Sequence, residues 1–227
     1  KKNMDYGKDF KKFAMSDYNV SSSKMDYFEK QIEGSLTPYI LEEREMRATQ
    51  IDIFSRLMRD RILWVAGPVN DNMSTIVQAQ LMYLDSADTL PITMHIDSPG
   101  GSVKSGLSMV DVMQYIKSDI ATINTGMAAS MGSVLLGAGT KGKRSSLEDS
   151  EIMLHQSSGG AVGNIQDAEI TMVWWKRKND RLFELLGQYC GKTTEQVKTD
   201  ATRDLWLSAQ EALDYGLIDE VVKKKQK

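Results

Sequence analysis

The chain has 227 residues, of which 41% are hydrophobic and 26% are charged, and its formal net charge is −3. This composition is typical of a folded globular protein, and the length fits one large domain or one domain with an appendage. The slight acidic excess argues against a nucleic-acid binder, which would carry a basic face. The chain has one cysteine, Cys190, and two histidines, His95 and His155, so neither a disulfide framework nor a Cys- or His-built metal centre is expected.

The sequence shows neither a membrane span nor a secretory signal. No stretch approaches the roughly 20 apolar residues that cross a bilayer, and the N-terminus lacks the apolar core of a signal peptide. We therefore expect a cytoplasmic protein without a membrane partner. Residues 1–36 are polar and lack a sustained apolar period, which predicts a leader or an arm rather than a domain, and processing could remove it. Residues 37–227 are predicted to form a single domain.

From residue 62 onward, short apolar runs alternate with segments whose apolar residues have helical spacing. The runs predict strands at 62–67, 92–97, 120–124, 152–155 and 205–207, and the amphipathic segments predict helices at 70–84, 102–117, 130–139 and 164–189. Ser208 and Glu211 have the spacing of a capping box, which predicts one more short helix. This alternation is typical of right-handed βαβ units, so we expect an α/β fold with a mainly parallel sheet.

The predicted helix at 164–189 is longer than a domain of this size needs. At the helical rise per residue it would extend for roughly 40 Å. A helix that overshoots its own domain usually packs against something else, although an ordinary long surface helix is the alternative.

Ser130 is the first candidate for a chemical role. It lies at a predicted strand-to-helix junction, in the segment Gly-Met-Ala-Ala-Ser-Met-Gly at 126–132. A nucleophilic serine needs an exposed hydroxyl at a sharp turn, and the N–H groups that begin the next helix suit a developing oxyanion. The pattern differs from the Gly-x-Ser-x-Gly of α/β-hydrolases. Taken alone, a serine among small residues is more simply explained by tight helix packing.

A nucleophilic serine requires a base and a carboxylate that orients the base. His155 ends a predicted strand, where the active-site groups of parallel sheets emerge, whereas His95 lies within a strand, which favours a structural role. The position therefore favours His155 as the base. Spacing alone does not select the carboxylate, for which the candidates are Asp167, Asp180, Asp200, Asp204, Asp214 and Asp219.

A glycine-rich turn, Ser-Pro-Gly-Gly at 98–101, joins a predicted strand to a predicted helix. Such loops bind phosphates or form oxyanion holes, because glycine lets backbone N–H groups approach a ligand closely. The turn at 98–101 does not have the phosphate-binding pattern Gly-x-Gly-x-x-Gly and is not followed by Gly-Lys-Ser/Thr. An oxyanion hole and a plain tight turn remain the two interpretations.

Four segments in this order resemble the proteolytic subunits of the Clp protease family. They are Ser-Pro-Gly-Gly at 98–101, Gly-Met-Ala-Ala-Ser-Met-Gly at 126–132, Met-Leu-His-Gln at 153–156 and Arg-Asp-x-x-Leu-Ser at 203–208. The resemblance extends from about residue 39 to residue 222. It implies a serine endopeptidase with a crotonase-like spiral of repeated ββα and βαβ units, from which a long handle helix at 164–189 protrudes.

The resemblance also implies a role for individual residues of the site. Ser130 would be the nucleophile, His155 the base and Asp204 the orienting carboxylate. The backbone N–H groups of Gly101 and Met131 would form the oxyanion hole. No metal ion takes part in such a site.

For substrate binding, the resemblance implies an extended strand that pairs with the backbone, in contact with Val103, Ser158 and Gly159. Cleavage would then depend little on the sequence of the unfolded protein substrate. The handle helix would join two stacked heptameric rings into a closed chamber. An AAA+ unfoldase of the Clp type would use ATP to feed this chamber, so the chain itself would need no cofactor.

Several positions depart from the usual pattern of the resembled family. Ser157 and Ser158 follow His-Gln where a proline is usual next. Thr202 stands where an acidic residue usually precedes an arginine, in a charged pair that helps to link the rings. Thr93 and His95 occupy strand positions that are commonly aromatic and line the groove where the unfoldase docks.

Other functions remain as alternatives. An enoyl-CoA hydratase-like enzyme of the same superfold also uses glycine N–H groups, but it gives no role to Ser130 and His155. A catalytically silent ring scaffold would normally have lost one of the three implied catalytic residues, and Asp204 is present with the other two. A serine protease with a lysine base could use Lys141 or Lys143, but such proteases usually carry a membrane anchor.

Overall fold

The computed structural model describes Ser21 and residues 39–44, 47–161 and 163–224. The leader predicted at 1–36 lies, apart from Ser21, outside the described residues. Two antiparallel strands, β1 (Tyr39–Arg44) and β2 (Arg47–Asp52), form a separate pair. Strand β2 leads directly into helix α1 (Ile53–Arg59).

A mainly parallel sheet forms the centre of the fold. Five of its strands lie side by side and parallel in the order β3 (Ile62–Ala66), β4 (Ile92–Ser98), β5 (Ile120–Ala129), β6 (Arg144–Leu147) and β9 (Glu220–Val222). Strand β7 (Glu151–Leu154) pairs in parallel with the end of β5, and β8 (Leu205–Ser208) pairs antiparallel with β7. The predicted α/β fold with a mainly parallel sheet is confirmed.

Helices connect the parallel strands, as the alternating pattern predicts. In chain order they are α2 (Asp71–Ala87), α3 (Val103–Tyr115), α4 (Met131–Gly137), α5 (Ile165–Cys190), α6 (Thr194–Asp200) and α7 (Ala209–Tyr215). The side chain of Asn70 caps α2, and that of Ser102 caps α3. Ser208 and Glu211 form the predicted capping box at α7, which fixes where β8 ends and the helix begins.

The core lies between the sheet and the helices that cover it. Alternate residues of the central strands are buried, such as Val65 in β3 and Met94 in β4. Helix α2 contributes buried residues three or four positions apart, such as Val77, Leu81 and Leu84. Because these spacings place apolar side chains on one face of each element, the short apolar runs of the sequence become the buried strands.

The structure differs from the sequence predictions at several elements. The strand predicted at 120–124 continues as β5 to Ala129. The predicted elements also do not include β1, β2, β6 and α6. Strand β6 has the sequence Arg-Ser-Ser-Leu, which lacks apolar alternation, and it is fixed by a buried ion pair, because Arg144 Nη2 lies 2.6 Å from Asp219 Oδ1.

Helix α5 has two different halves. It contains 26 residues, which corresponds to about 39 Å, so the long predicted helix is present. Its C-terminal half is buried in the core through Leu182, Phe183, Leu185 and Leu186. Its N-terminal half carries exposed apolar side chains, which are Ile165, Ile170, Met172, Val173 and Trp174. In the described part of the chain, no helix is long and apolar enough to cross a membrane.

Candidate active site

Ser130 occupies a strained turn between β5 and α4. Its backbone dihedrals are φ 54° and ψ −119°, and a positive φ is uncommon for a residue that carries a Cβ. Its backbone N–H donates to the carbonyl of Met153 in β7 at 2.8 Å, which fixes the turn against the sheet. Its side chain makes no capping hydrogen bond to α4. Backbone strain that the surrounding structure maintains is typical of functional sites.

The glycine-rich loop at 98–101 packs directly against the Ser130 turn. Gly100 and Gly101 have φ values of 87° and 147°. A Cβ on Gly100 would lie 2.7 Å from the Ser130 Cβ and 2.8 Å from the Met131 backbone nitrogen. Glycine is therefore needed here for two reasons, which are the dihedral angle and the close approach of the two backbones.

Two backbone N–H groups beside the turn donate no hydrogen bond to any of the described residues. They belong to Gly101, which follows the close contact, and to Met131, the first residue of α4. The first N–H groups of a helix have no acceptor within the helix itself. Such donors are available to stabilise a negatively charged oxygen.

The pairing of β7 and β8 brings His155 and Asp204 together. Leu154 lies opposite Leu205 at the end of this antiparallel pair, and His155 and Asp204 are the residues next to this last pair. The distance from His155 Nδ1 to Asp204 Oδ1 is 3.3 Å. The His155 side chain is 24% exposed and the Asp204 side chain is 61% exposed, so the imidazole is largely shielded while the carboxylate is open to solvent.

The same sheet brings the segment with His155 next to the Ser130 turn. Strand β5 pairs in parallel with β7, with Ala129 opposite Met153, and the chain reaches His155 two residues further along. Among the described residues, no hydrogen bond joins the Ser130 hydroxyl to His155. Such bonds are often long without substrate and tighten when substrate binds. The predicted site residues Ser130, His155 and Asp204 therefore come from three adjacent strands.

The loop after β7 lies against helix α5. Ser157 donates its backbone N–H and its hydroxyl to Asn179 Oδ1, each at 2.9 Å. A Cβ on Gly159 would lie 1.1 Å from Trp175 Cη2, so the loop backbone touches the indole ring. The predicted substrate residues Ser158 and Gly159 are exposed on this loop. The sequence does not predict Asn179 or Trp175, because contacts over such separations leave no local pattern.

The remaining predicted substrate residue, Val103, is the first residue of α3 and directly follows the glycine-rich loop. Among the described residues, no group of three or more His, Cys, Asp or Glu side chains is arranged to hold a metal ion. The site offers a hydroxyl, an imidazole with a carboxylate beside it, and unpaired backbone N–H groups. These are the groups that acyl transfer through a covalent intermediate requires.

Comparison with known proteins identifies the family. A family model described as Clp protease matches residues 43–225. The chain belongs to the Clp protease family. It is 48% identical over 218 residues to the ATP-dependent Clp protease proteolytic subunit of Bacteroides fragilis strain YCH46, a match that covers 96% of this chain and 99% of that protein.

Two further relatives carry the same name. The protein from Porphyromonas gingivalis is 44% identical over 220 residues, which cover 96% of this chain and 99% of that protein. The protein from Streptococcus pyogenes serotype M5 is 45% identical over 194 residues, which cover 84% of this chain and 99% of that protein. The two longer matches, to B. fragilis and P. gingivalis, include most of residues 1–36, so these relatives have an N-terminal segment of similar length.

Membership of the Clp protease family confirms the prediction of a protease subunit over the hydratase-like alternative. His95, the other histidine, stacks on Trp64 with ring centroids 4.8 Å apart. His95 lies in the middle of β4, where burial lowers the pKa of its imidazole. Thr202 donates its hydroxyl to the Lys198 carbonyl near the end of α6.

Proposed function

We propose that this chain is a serine endopeptidase in which Ser130 is the nucleophile, His155 the base and Asp204 the carboxylate that orients the base. The observation that carries the proposal is the pairing of β5, β7 and β8, which brings these residues to adjacent strand ends. Their order along the chain differs from the orders in chymotrypsin, subtilisin and the α/β-hydrolases. The proposal therefore rests on geometry and not on chain order.

In the proposed reaction, the Ser130 hydroxyl attacks the carbonyl carbon of a peptide bond while His155 Nε2 accepts its proton. The Nδ1–H of His155 donates to Asp204, 3.3 Å away, and this stabilises the imidazolium that forms during the attack. The C–N bond then breaks, and the imidazolium gives its proton to the leaving amine. Water, deprotonated by the same imidazole, hydrolyses the acyl-enzyme and restores Ser130.

The proposed oxyanion hole consists of the backbone N–H groups of Gly101 and Met131. Both groups lie beside the Ser130 turn, because Gly100 is in close contact with Ser130 and with the Met131 nitrogen. Hydrogen bonds from such fixed donors stabilise the negative oxygen of the tetrahedral intermediate. Loss of one donor typically lowers the rate by about 10²–10³-fold.

The proposed substrate is an unfolded polypeptide that binds as an extended strand beside Val103, Ser158 and Gly159. Support comes from the exposure of the loop after β7 and from the position of Val103 directly after the glycine-rich loop. Pairing between backbones gives affinity that depends little on side chains, so we expect loose sequence specificity.

The exposed half of α5 is proposed to join two heptameric rings into a closed chamber. Its exposed apolar side chains form a surface of the kind that usually contacts another protein. The chain contains no complete Gly-x-x-x-x-Gly-Lys-Ser/Thr nucleotide-binding pattern, because the Gly-Lys-Thr at 191–193 is preceded by Leu186 where the first glycine is required. ATP would therefore be used by a separate AAA+ unfoldase. The term ATP-dependent in the names of the relatives supports this partnership. The chain would need no cofactor of its own and would act in the cytoplasm.

Active-site labelling tests the proposed catalytic residues. Ser130→Ala should abolish both the hydrolysis of a short peptide and labelling by a fluorophosphonate probe, because the nucleophile is removed. Ser108→Ala removes a partly exposed serine of α3 and should retain both activities. His155→Ala and Asp204→Asn should each lower the hydrolysis rate by about 10⁴-fold, without additivity. If the Ser130→Ala variant is labelled to the same extent as the wild-type protein, the nucleophile lies elsewhere.

Native mass spectrometry tests the proposed ring contact. Met172→Glu places a charge in the exposed apolar surface, so it should yield particles of half the wild-type mass with little peptidase activity. Gln188→Glu places the same charge at an exposed polar position in the C-terminal half of α5 and should assemble normally. Circular dichroism must show that both variants are folded. If the folded Met172→Glu variant forms particles of the wild-type mass, the exposed apolar surface of α5 is not the ring contact.

A further inference from the structure

The position of His155 is not fixed by the sheet alone. The pairing of β7 with β8 ends at Leu154 and Leu205, so His155 lies one residue beyond the last paired position. Its hydrogen bond within the described residues is the 3.3 Å contact with Asp204, whose side chain is 61% exposed. A contact this long, with a partner this open to solvent, restrains an imidazole only weakly. The backbone of the following loop must therefore supply much of the restraint.

Asn179 on α5 holds this loop through a single atom. Its Oδ1 accepts from both the backbone N–H and the hydroxyl of Ser157, each at 2.9 Å. Ser157 is two residues after His155, and 22 residues separate it from Asn179. One side-chain oxygen thus links the segment that carries the base to a helix whose C-terminal half is anchored in the core.

A second contact on the same face of α5 supports the same loop. Trp175 precedes Asn179 by four residues, which places both side chains on one side of the helix. The indole ring lies against the backbone at Gly159, where an added Cβ would be 1.1 Å from Cη2. The loop is therefore held at Ser157 by hydrogen bonds and at Gly159 by packing.

The next residue of the helix is connected to the segment that carries the carboxylate. Asp180 Oδ1 lies 2.8 Å from Lys198 Nζ in α6. Helix α6 ends at Asp200, four residues before Asp204. Asn179 and Asp180, which are adjacent in α5, therefore contact the segment that carries His155 and the segment that precedes Asp204, respectively.

From these contacts we infer that Asn179 is a positioning residue for the base, and that it acts on His155 through Ser157. The inference rests on the proposed catalytic role of Ser130 and His155. Asn179 acts through the loop backbone, so its loss should displace the imidazole while leaving the hydroxyl of Ser130 in place. A displacement of about 1 Å in a catalytic group can lower the rate by about 10²-fold.

The test measures the rate constant for labelling of Ser130 by a small fluorophosphonate, which does not need the extended substrate strand. Asn179→Ala should lower this rate constant by about 10- to 100-fold. Asn179→Asp retains the accepting oxygen and should restore the rate to within about threefold of wild type. Ser157→Ala removes one of the two donors and should have an intermediate effect. Arg177→Ala, at an exposed position of the same helix, should label at the wild-type rate.

Each variant is assayed as the assembled protein, with its mass and melting temperature measured on the same sample. If Asn179→Ala lowers only the melting temperature and labels at the wild-type rate, the residue is merely structural and the inference is wrong. Failure of Asn179→Asp to restore labelling would also overturn it. If Ser130 of the wild-type protein is not labelled at all, the proposed function fails, and this inference fails with it.

Discussion

Two residues with unusual backbone geometry stand at opposite ends of the main sheet. Among the described residues, Arg61 and Ser130 are the non-glycine residues with positive φ, at 61° and 54°. Arg61 immediately precedes β3, where the parallel strands begin, whereas Ser130 follows β5, where they end. The two positions have the same kind of strain, but their side chains are used in different ways.

The Arg61 side chain offsets its strained backbone with a set of polar contacts. Its guanidinium donates to the carbonyls of Leu84, Leu90 and Pro91 at 3.0, 2.7 and 3.2 Å. It also lies 2.9 Å from the Asp88 carboxylate, and the Arg61 side chain is only 11% exposed. Arg61 therefore ties the end of α2 and the segment before β4 to the start of β3.

Ser130 has no comparable set of contacts, since its side chain makes no hydrogen bond to the residues described here. Its conformation is maintained from outside, by the close approach of Gly100 and by the bond from its N–H to Met153. The comparison shows a division within one sheet. Polar side chains stabilise the end where the strands begin, and the end where they finish has a strained residue whose hydroxyl is the proposed nucleophile.

The largest expected effect in this comparison is the loss of activity in Gly100→Ala. The new Cβ would lie 2.7 Å from the Ser130 Cβ and 2.8 Å from the Met131 nitrogen, so the loop must move away from the turn. That movement separates the N–H of Gly101 from the proposed oxyanion position. We expect at least about a 100-fold loss of peptide hydrolysis, measured at saturating peptide on the assembled protein.

Gly142→Ala is the matched control for this substitution. Gly142 has φ 84°, close to the 87° of Gly100, but a Cβ there would have no heavy atom within 4 Å. The backbone strain of the two variants is thus similar, at about 1 kcal/mol of unfolding free energy. Only Gly100→Ala should lose activity. Equal activity in the two variants would mean that close packing of the loop on the turn is not needed for catalysis.

The second prediction concerns the end where the strands begin. Arg61→Ala removes a guanidinium that donates to four backbone carbonyls, so we expect the free energy of unfolding to fall by about 3 kcal/mol. Arg61→Gly should be about 1 kcal/mol less harmful, because glycine adopts the positive φ without strain. Activity per folded subunit should stay within about twofold of wild type, since this end carries no site residue. Urea unfolding of the wild type and both variants at one fixed protein concentration measures these differences in the free energy of unfolding.

Lys143→Ala provides the reference for loss of an exposed ion pair. The Lys143 side chain is 38% exposed and lies 2.8 Å from Asp119. Such pairs contribute less than about 1 kcal/mol. If Arg61→Ala were no more harmful than Lys143→Ala, the buried polar contacts of Arg61 would not be the main stabilising feature of this end of the sheet.

The end of the sheet with Ser130 is also the end that the sequence predicts best. Short apolar runs and turn residues are local patterns, and they are sufficient to place Ser130 after one strand and His155 at the end of another. Selection of Asp204 from six carboxylates needed the family resemblance. In the structure, the register that sets Leu154 opposite Leu205 explains that choice, and register between distant strands has no local pattern.

The end where the strands begin depends on contacts that the sequence does not reveal. Arg61 reaches Leu90 across 29 residues, and Arg144 reaches Asp219 across 75 residues. A buried arginine looks the same in a sequence as an exposed one, so neither Arg61 nor strand β6 could be predicted. The bond between Ser157 and Asn179 was missed for the same reason, although it lies beside the site.

The smallest expected effect is a difference in stability between two inactive variants of Ser130, which measures the backbone strain at this residue independently of catalysis. Ser130→Ala and Ser130→Gly both lack the hydroxyl, so both should be inactive, and they differ only in the Cβ. At φ 54° and ψ −119° a Cβ is unfavourable, and such strain costs about 1–3 kcal/mol. Glycine removes this strain from the folded protein, but it also stabilises the unfolded chain because it has more conformational freedom there, which offsets part of the gain in stability. Ser130→Gly should therefore be about 1 kcal/mol more stable than Ser130→Ala.

Urea unfolding of these two variants at the same protein concentration measures the difference directly, because neither substrate nor activity enters the assay. A stability gain in Ser130→Gly would show that the protein retains a less stable residue at the site where a hydroxyl is needed. Equal stability would mean that the turn is relaxed with a Cβ present. In that case Ser130 would not be the strained counterpart of Arg61, and the division between the two ends of the sheet would rest on side-chain contacts alone.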